Sequence, residues 1–397
     1  MVGGIESPAP VSGRDQVLND STGAKAKSLA RGAYVTTLLA TLLATIVGVL
    51  AVQSPAAAVV NDLPDDTVQT DGRVSDILLM GGRIYLAGTF QNVNGVPRTR
   101  LAAIDANTGQ LTNWAPRASG WVMTLAGSPD GTRVYAGGQF GSVSGTARSR
   151  LVALDATTGA VDRQWSPAAN GAVRALAISG NRVYAGGEFS TINGEARTRL
   201  AALEGATGAL APNWAPAAND VVRTLAASAD GSRIYVGGHF AVISGRVRQG
   251  LAALDPSSAS VLPWRPNPGR PVIDVAVRGS RVYSAEGGAG GRAVAYDAVT
   301  GAPAWVLLAD GDAQAITAMD GKVYVGGHFE TMGGQSRRFF AAVDGATGAL
   351  DPDWTPRGQG GGVWEMVPDP ARARLYAGGD FTGIGGQAQR GFAQFSE

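Results

Sequence analysis

The chain has 397 residues, a formal net charge of +1 and no cysteine. Near-neutrality leaves no electrostatic footprint for nucleic acid and no polybasic patch for an anionic lipid surface. The missing thiols exclude disulfide staples, thiolate zinc sites, iron–sulfur clusters and cysteine nucleophiles.

Residues 1–32 form a polar N-terminal region, expected to be disordered, that carries Arg14, Lys25, Lys27 and Arg31. An uncharged run, AYVTTLLATLLATIVGVLAV, follows from Ala33 to Val52. As a helix it just spans the ~30 Å hydrocarbon core of a bilayer. Ala56-Ala57-Ala58 supplies the small residues a signal peptidase needs. Residues 33–58 therefore read either as a cleaved signal peptide or as an uncleaved signal-anchor helix. Both readings put the remainder outside the cytoplasm, because the positive flank stays inside. The expected location is secreted, or anchored to the outer face of the bacterial cytoplasmic membrane.

From residue 59 to the end the chain repeats itself. RIYLAGTF (83–90), RVYAGGQF (133–140), RVYAGGEF (182–189), RIYVGGHF (233–240), a degraded RVYSAEGG (281–288), KVYVGGHF (322–329) and RLYAGGDF (374–381) are one unit. The anchor tyrosines, Tyr85, Tyr135, Tyr184, Tyr235, Tyr283, Tyr324 and Tyr376, are spaced by 50, 49, 51, 48, 41 and 52 residues. Each unit predicts four short strands: an apolar first strand such as VRALAIS, the Arg-x-Tyr strand, a third strand such as RLAAL, and a fourth ending in Trp-x-Pro. Asp-Gly turns at Asp130-Gly131 and Asp230-Gly231 suit the first hairpin. Trp114, Trp165, Trp214, Trp264, Trp305 and Trp354 mark the fourth segment. Four-stranded units at this period mean an all-β, seven-bladed β-propeller over 59–397. The seventh copy ends after three strands, and Asn61-Asp62-Leu63-Pro64 parallels Asn113-Trp114-Ala115-Pro116. The N-terminal segment is therefore expected to complete the last blade, which removes the free sheet edges of an open ring.

Three sets of polar residues break the repeat's apolar pattern. The position after the double glycine holds Gln139, Glu188, His239, His328 and Asp380, and is the candidate ligand-binding ring. Side chains there either recognise a glycan, peptide or small polar molecule, or support their own loops. Arg98, Arg148, Arg197, Arg248 and Arg337 form a second ring, expected to tie loop carbonyls. Asp76, Arg174, Arg223, Asp274 and Glu365 fall near one register of the first strands and are candidates to line the channel. His239 and His328 are the only histidines. Two steps apart in a sevenfold ring, they are too distant to share one zinc unless both reach the axis. The GxGxxA match near Gly287 lacks a βαβ unit, and no catalytic or metal-binding motif stands out.

ALDATTGAVDRQW (153–165) and AYDAVTGAPAW (295–305) resemble the tryptophan-docking repeat of quinoprotein propellers, whose tryptophan pins adjacent blades. The whole unit, an aromatic YVGGxF strand followed by AALDAxTGALDxxWxP, more closely resembles the bacterial delta-60 propeller repeat. That resemblance implies a secreted or surface propeller and no particular chemistry; no cofactor set carries over. The expectation is a monomeric extracytoplasmic binding or scaffold module for a glycan, peptide or protein, without cofactor. The rival is an enzyme: a quinoprotein-like dehydrogenase, or a hydrolase with an axial carboxylate site.

Overall fold

Each Arg/Lys-x-Tyr segment is the middle strand of an antiparallel sheet. A computed structural model describes residues 60–288 and 290–397; the polar region and hydrophobic helix expected over 1–58 lie outside the described residues. Among the described residues all regular structure is β, with no helix.

Sheet 1 consists of Val74–Met80, Arg83–Gly88 and Leu101–Asp105, in that order. Sheet 2 uses Val122–Gly127, Arg133–Gly138 and Leu151–Asp155, and sheet 3 uses Val173–Ser179, Arg182–Gly187 and Leu200–Glu204. Sheet 4 uses Val222–Ala227, Ile234–Gly238 and Leu251–Leu254. Sheet 5 adds a fourth strand: Val272–Arg278, Arg281–Glu286, Arg292–Asp297 and Pro303–Leu308. Sheet 6 uses Asp312–Met319, Lys322–His328 and Phe340–Asp344, and sheet 7 uses Gly358–Asp369, Arg374–Ile384 and Phe392–Phe395.

The expected fourth strand is regular only in sheet 5. In sheets 1, 2, 3, 4 and 6 the outer segment makes one isolated bridge, such as Leu154 with Val161 or Leu254 with Val261. The irregular segments all carry a proline two residues after the tryptophan, which has no N–H to give a ladder, whereas sheet 5 has Leu307 at that place and completes the strand. Regular or not, each segment sends its indole beyond its own sheet. Trp114 Nε1 donates to the Asp155 carbonyl at 2.9 Å, Trp264 to Asp297 at 2.9 Å and Trp305 to Gly345 at 3.0 Å. Each ring also packs edge-on or tilted against its own sheet's anchor tyrosine, as Tyr85 and Trp114 do at 5.1 Å. The Tyr85 hydroxyl then donates to Ala156 in sheet 2, so two hydrogen bonds and an aromatic pair join sheets 1 and 2; Tyr135, Tyr184 and Tyr283 make the same second bond to Gly205, Pro256 and Gly345.

Where the middle strand carries two glycines, as in sheets 2, 3, 4, 6 and 7, they act differently. A Cβ on Gly137 would meet Val173 Cγ1 of the next sheet at 2.7 Å, whereas one on Gly138 would meet the Trp121 carbonyl of its own first strand at 2.2 Å. The first glycine sets sheet-to-sheet spacing; the second lets the first hairpin close. Sheet 5 breaks this rule. Glu286 replaces the second glycine, is fully buried, and accepts from Arg292 Nε at 2.6 Å, the Tyr296 hydroxyl at 2.9 Å and Ser284 Oγ at 3.0 Å. The degenerate copy has therefore exchanged close backbone packing for a buried, fully partnered carboxylate.

Near the first of the described residues, Asn61 N donates to the Ser396 carbonyl at 2.7 Å and Asp65 N to that of Gln394 at 2.8 Å. Val60 packs in one cluster with Trp354 and Phe395. Val74 and Ile77 pack with Tyr376 and Phe392 of sheet 7.

Candidate functional site: the polar channel

The first strand of every sheet has one neighbour within its own sheet, so its other edge carries unpaired backbone groups. These strands pack beside one another and surround a channel of about 480 Å³. Each contains a β-bulge after a buried valine or alanine: between Val74 and Asp76, Val122 and Thr124, Val173 and Ala175, Val222 and Thr224, Val272 and Asp274, Ala313 and Ala315, and Val363 and Glu365. The bulge re-aims side chains, so two successive residues of a strand line the channel.

That resolves the charged residues expected at one register into two. Arg174 and Arg223 occupy the bulged position, together with Gln314 and Trp364. Asp76, Asp274 and Glu365 follow by one residue, together with Thr124 and Thr224. All five charged candidates line the channel.

The carboxylates also stitch sheets together. Asp76 Oδ2 accepts from Leu125 N of sheet 2 at 2.6 Å, and Asp274 Oδ2 accepts from Ile316 N of sheet 6 at 2.9 Å. Thr124 plays the same part toward Leu176 N at 3.1 Å. Side chains thus satisfy N–H groups on an edge that has no partner strand. Burial is the main reason the acids hold their protons. It pushes Asp76 up to about 7 despite its hydrogen bonds, and raises Asp274. Glu365 is raised well above the usual range by burial and then by the charges of Asp274 and Asp76. Each keeps part of its surface open to the channel, so water moderates these shifts. Burial and the nearby Arg174 charge lower Arg223.

The residues after the double glycine do not form a uniform ring. Gln139, His239 and His328 are exposed, while Glu188 and Asp380 are half-buried in ion pairs. Glu188 binds Arg174 of its own sheet, with Nε donating at 2.6 Å. Asp380 accepts from Arg73 of sheet 1 at 2.6 Å and from Trp364 Nε1 at 3.0 Å. Neither bonds its own loop backbone. His239 is lowered by burial and by Arg223, which favours the neutral imidazole. His328 packs edge-on to Phe339 at 5.6 Å. Among the described residues no group of three or more acids or histidines is arranged to hold a metal ion.

The arginine ring is structural. Arg98, Arg148, Arg248 and Arg337 each donate Nη2 to the carbonyl fourteen residues on, at 2.7–3.0 Å. Gln389 takes over this duty beside Val68 in sheet 7.

Two residues escaped the sequence reading. Of eight tryptophans, six share the docking place on the outer segment; Trp121 and Trp364 stand instead at the first strands of sheets 2 and 7. Both are half-buried, both line the channel, and Arg73 lies between them, 3.9 Å from the Trp364 ring centre and 5.7 Å from that of Trp121. Trp121 Nε1 donates to Ser75 Oγ at 2.7 Å. Their signal was available: they are the tryptophans that do not follow the turn after the third strand, where the other six recur once per repeat.

A family model described as outer membrane protein assembly factor BamB, of the PQQ type, matches residues 97–271. A second, a beta-propeller domain of unknown function, matches residues 82–107. No match was found among curated proteins. The WD40 beta propeller domain of Doa1 superposes with a TM-score of 0.58 at 12% identity, covering 86% of this chain and 96% of that one. The computationally designed Ika8 protein superposes with a TM-score of 0.52 at 14% identity, covering 85% and 100%. At such identities the likeness speaks to fold alone. The described chain is an all-β protein built from propeller repeats that resemble the PQQ type.

Proposed function

We propose that residues 59–397 form a closed seven-bladed β-propeller, of the delta-60 kind, that acts outside the cytoplasm as a monomeric binding module for a glycan, peptide or protein. The seven sheets, one per repeat, and the bonds from Asn61 and Asp65 to the last strand support the ring. The hydrophobic run at 33–52 supports the location.

The observation that carries the binding reading is the channel mouth. Trp121 and Trp364 are the tryptophans the repeat does not need, and both stand half-open beside Arg73 and Asp380. Stacking faces beside charged hydrogen-bonding groups are what a polar ligand with apolar faces requires. Gln139, His239 and His328, exposed on the same loop face, extend that surface outward. A glycan and peptide array tests it. Hits lost in both Trp121→Ala and Trp364→Ala support the reading, and hits indifferent to both, or no hits, sink it.

One observation favours a hydrolase as a second reading. A carboxyl near 7, as at Asp76, matches the working range of a general acid–base group. Turnover of chromogenic glycosides or esters that vanishes in Asp76→Asn would carry it; none in the wild-type protein removes it. A quinoprotein site fits poorly: pyrroloquinoline quinone is a tricarboxylate, and of the two arginines lining the channel Arg174 is already paired with Glu188, which leaves Arg223 alone to meet it.

A further inference from the structure

Two cations line the channel, Arg174 from sheet 3 and Arg223 from sheet 4, and they are unequally neutralised. Arg174 is taken by Glu188. Arg223, half-buried at the equivalent bulged position, joins no ion pair and no side-chain hydrogen bond among the described residues. The acids whose charges reach it are committed elsewhere. Glu188 holds Arg174, and Asp312 accepts from Gly288 N at 2.5 Å. Asp274, on the neighbouring first strand, accepts from Thr224 Oγ1 at 3.2 Å, Val275 N at 2.7 Å and Ile316 N at 2.9 Å. The other residues at the bulged position are Ser75, Met123, Ile273, Gln314 and Trp364, so this level of the channel contains no acid. A partly desolvated charge with no counter-charge is unfavourable until an anion arrives.

We propose that Arg223 receives the carboxylate of a small ligand inside the channel, with the ligand's apolar body against Met123, Ile273 and Trp364. The inference rests on the ligand-binding reading above and names the ligand's chemistry. A guanidinium presents a planar fork that meets both oxygens of one carboxylate, so this single side chain makes the anchor by itself. Burial lowers Arg223, yet an arginine in a protein keeps its charge. One free guanidinium balances one negative charge, which favours a carboxylate over a phosphate carrying nearly two. Burial also favours the protonated forms of Asp76, Asp274 and Glu365, one residue further along, which limits their repulsion of an anion. Met123, Ile273 and Trp364 come from sheets 2, 5 and 7 at the level of Arg223, and give the uncharged part of the ligand an apolar wall.

Calorimetry on the full chain with two matched pairs tests this: N-acetylphenylalanine against its amide, and glucuronic acid against glucose. In at least one pair the acid is expected to bind ten-fold or more tightly than its neutral partner. Arg223→Gln should bring that ratio near one, and Arg223→Lys, which keeps the charge and loses the fork, should lower it several-fold. Preference confined to N-acetylphenylalanine assigns a peptide terminus; preference confined to glucuronic acid assigns a sugar acid. Arg223 has no partner in the fold to lose, so both variants should melt no lower than the wild type. Should Arg223→Gln unfold early, Arg223→Lys carries the comparison. Equal binding within both pairs, a preference unchanged in the folded variant, or silence from all four probes overturns the inference. Equal, Trp121-dependent binding of a neutral partner would overturn it while leaving the binding module intact. Silence from all four probes together with an empty array would remove both.

Discussion

Trp354 donates its indole N–H to the carbonyl of Asn61, 293 residues earlier, at 3.1 Å. It is the bond Trp114 makes to Asp155, with the segment around Asn61, ahead of the first repeat, taking the acceptor's place. Trp354→Phe keeps the ring's packing and loses this bond, so it should cost about 1 kcal/mol. Trp354→Ala also opens a cavity against Tyr324 and Phe395 and should cost about 3–5 kcal/mol. Urea denaturation of the folded domain reads both.

The two glycines of one strand should respond unequally. Gly138→Ala drives a methyl to 2.2 Å from a backbone carbonyl that cannot rotate away, and should cost more than about 3 kcal/mol. Gly137→Ala meets only the side chain of Val173, at 2.7 Å, and should cost about 1–3 kcal/mol. Ala87 already occupies the equivalent place in sheet 1, so the position tolerates a methyl where its neighbours allow. Equal losses would contradict the division of labour.

Stability should fall as pH rises through the window set by Asp76. Its carboxyl titrates at about 7 in the folded protein against a normal value of 3.8. Between those limits the folded state holds a proton that the unfolded chain has released, so raising pH favours unfolding. Asp76→Asn keeps an acceptor for Leu125 N and removes the titration. From pH 4 to 8 the wild type should lose on the order of 1–3 kcal/mol relative to the variant, after allowing for channel water. Parallel pH profiles of melting temperature check this; superimposable slopes would refute it.

Glu286→Ala should be among the most damaging changes in sheet 5. It leaves Arg292 without its carboxylate and the Tyr296 hydroxyl without an acceptor, for about 3–5 kcal/mol. Denaturant midpoints of Glu286→Ala and Glu286→Gln would show it, with Gln the milder because it still accepts from Tyr296.

Much of the framework was legible because single residues carry it. The tyrosines, paired glycines and docking tryptophans each make the same contact in sheet after sheet, so their spacing alone announces the sheets. The fourth strand was over-read: Trp114 and its equivalents in sheets 2, 3, 4 and 6 look like strand residues by pattern, yet the proline two residues on withholds a ladder hydrogen bond, and only sheet 5, with Leu307 there, completes the strand. The channel was half legible. Asp76 and Arg174 stood out as charges on apolar strands, but a bulge moves register by one residue and leaves no sequence mark. Trp121 and Trp364 were hidden by the six tryptophans that obey the repeat. The degenerate fifth copy read as loss, because the partners of Glu286 lie six and ten residues away on another strand.

The central claim is that ligand enters at the mouth framed by Trp121 and Trp364. Hydrogen exchange of the full chain, with and without the strongest array ligand, measures it directly. The account predicts slowed exchange in Val74–Met80, Val122–Gly127, Val272–Arg278 and Gly358–Asp369, the first strands around the channel. Protection confined to the outer strand Pro303–Leu308, with the channel strands unchanged, would contradict it.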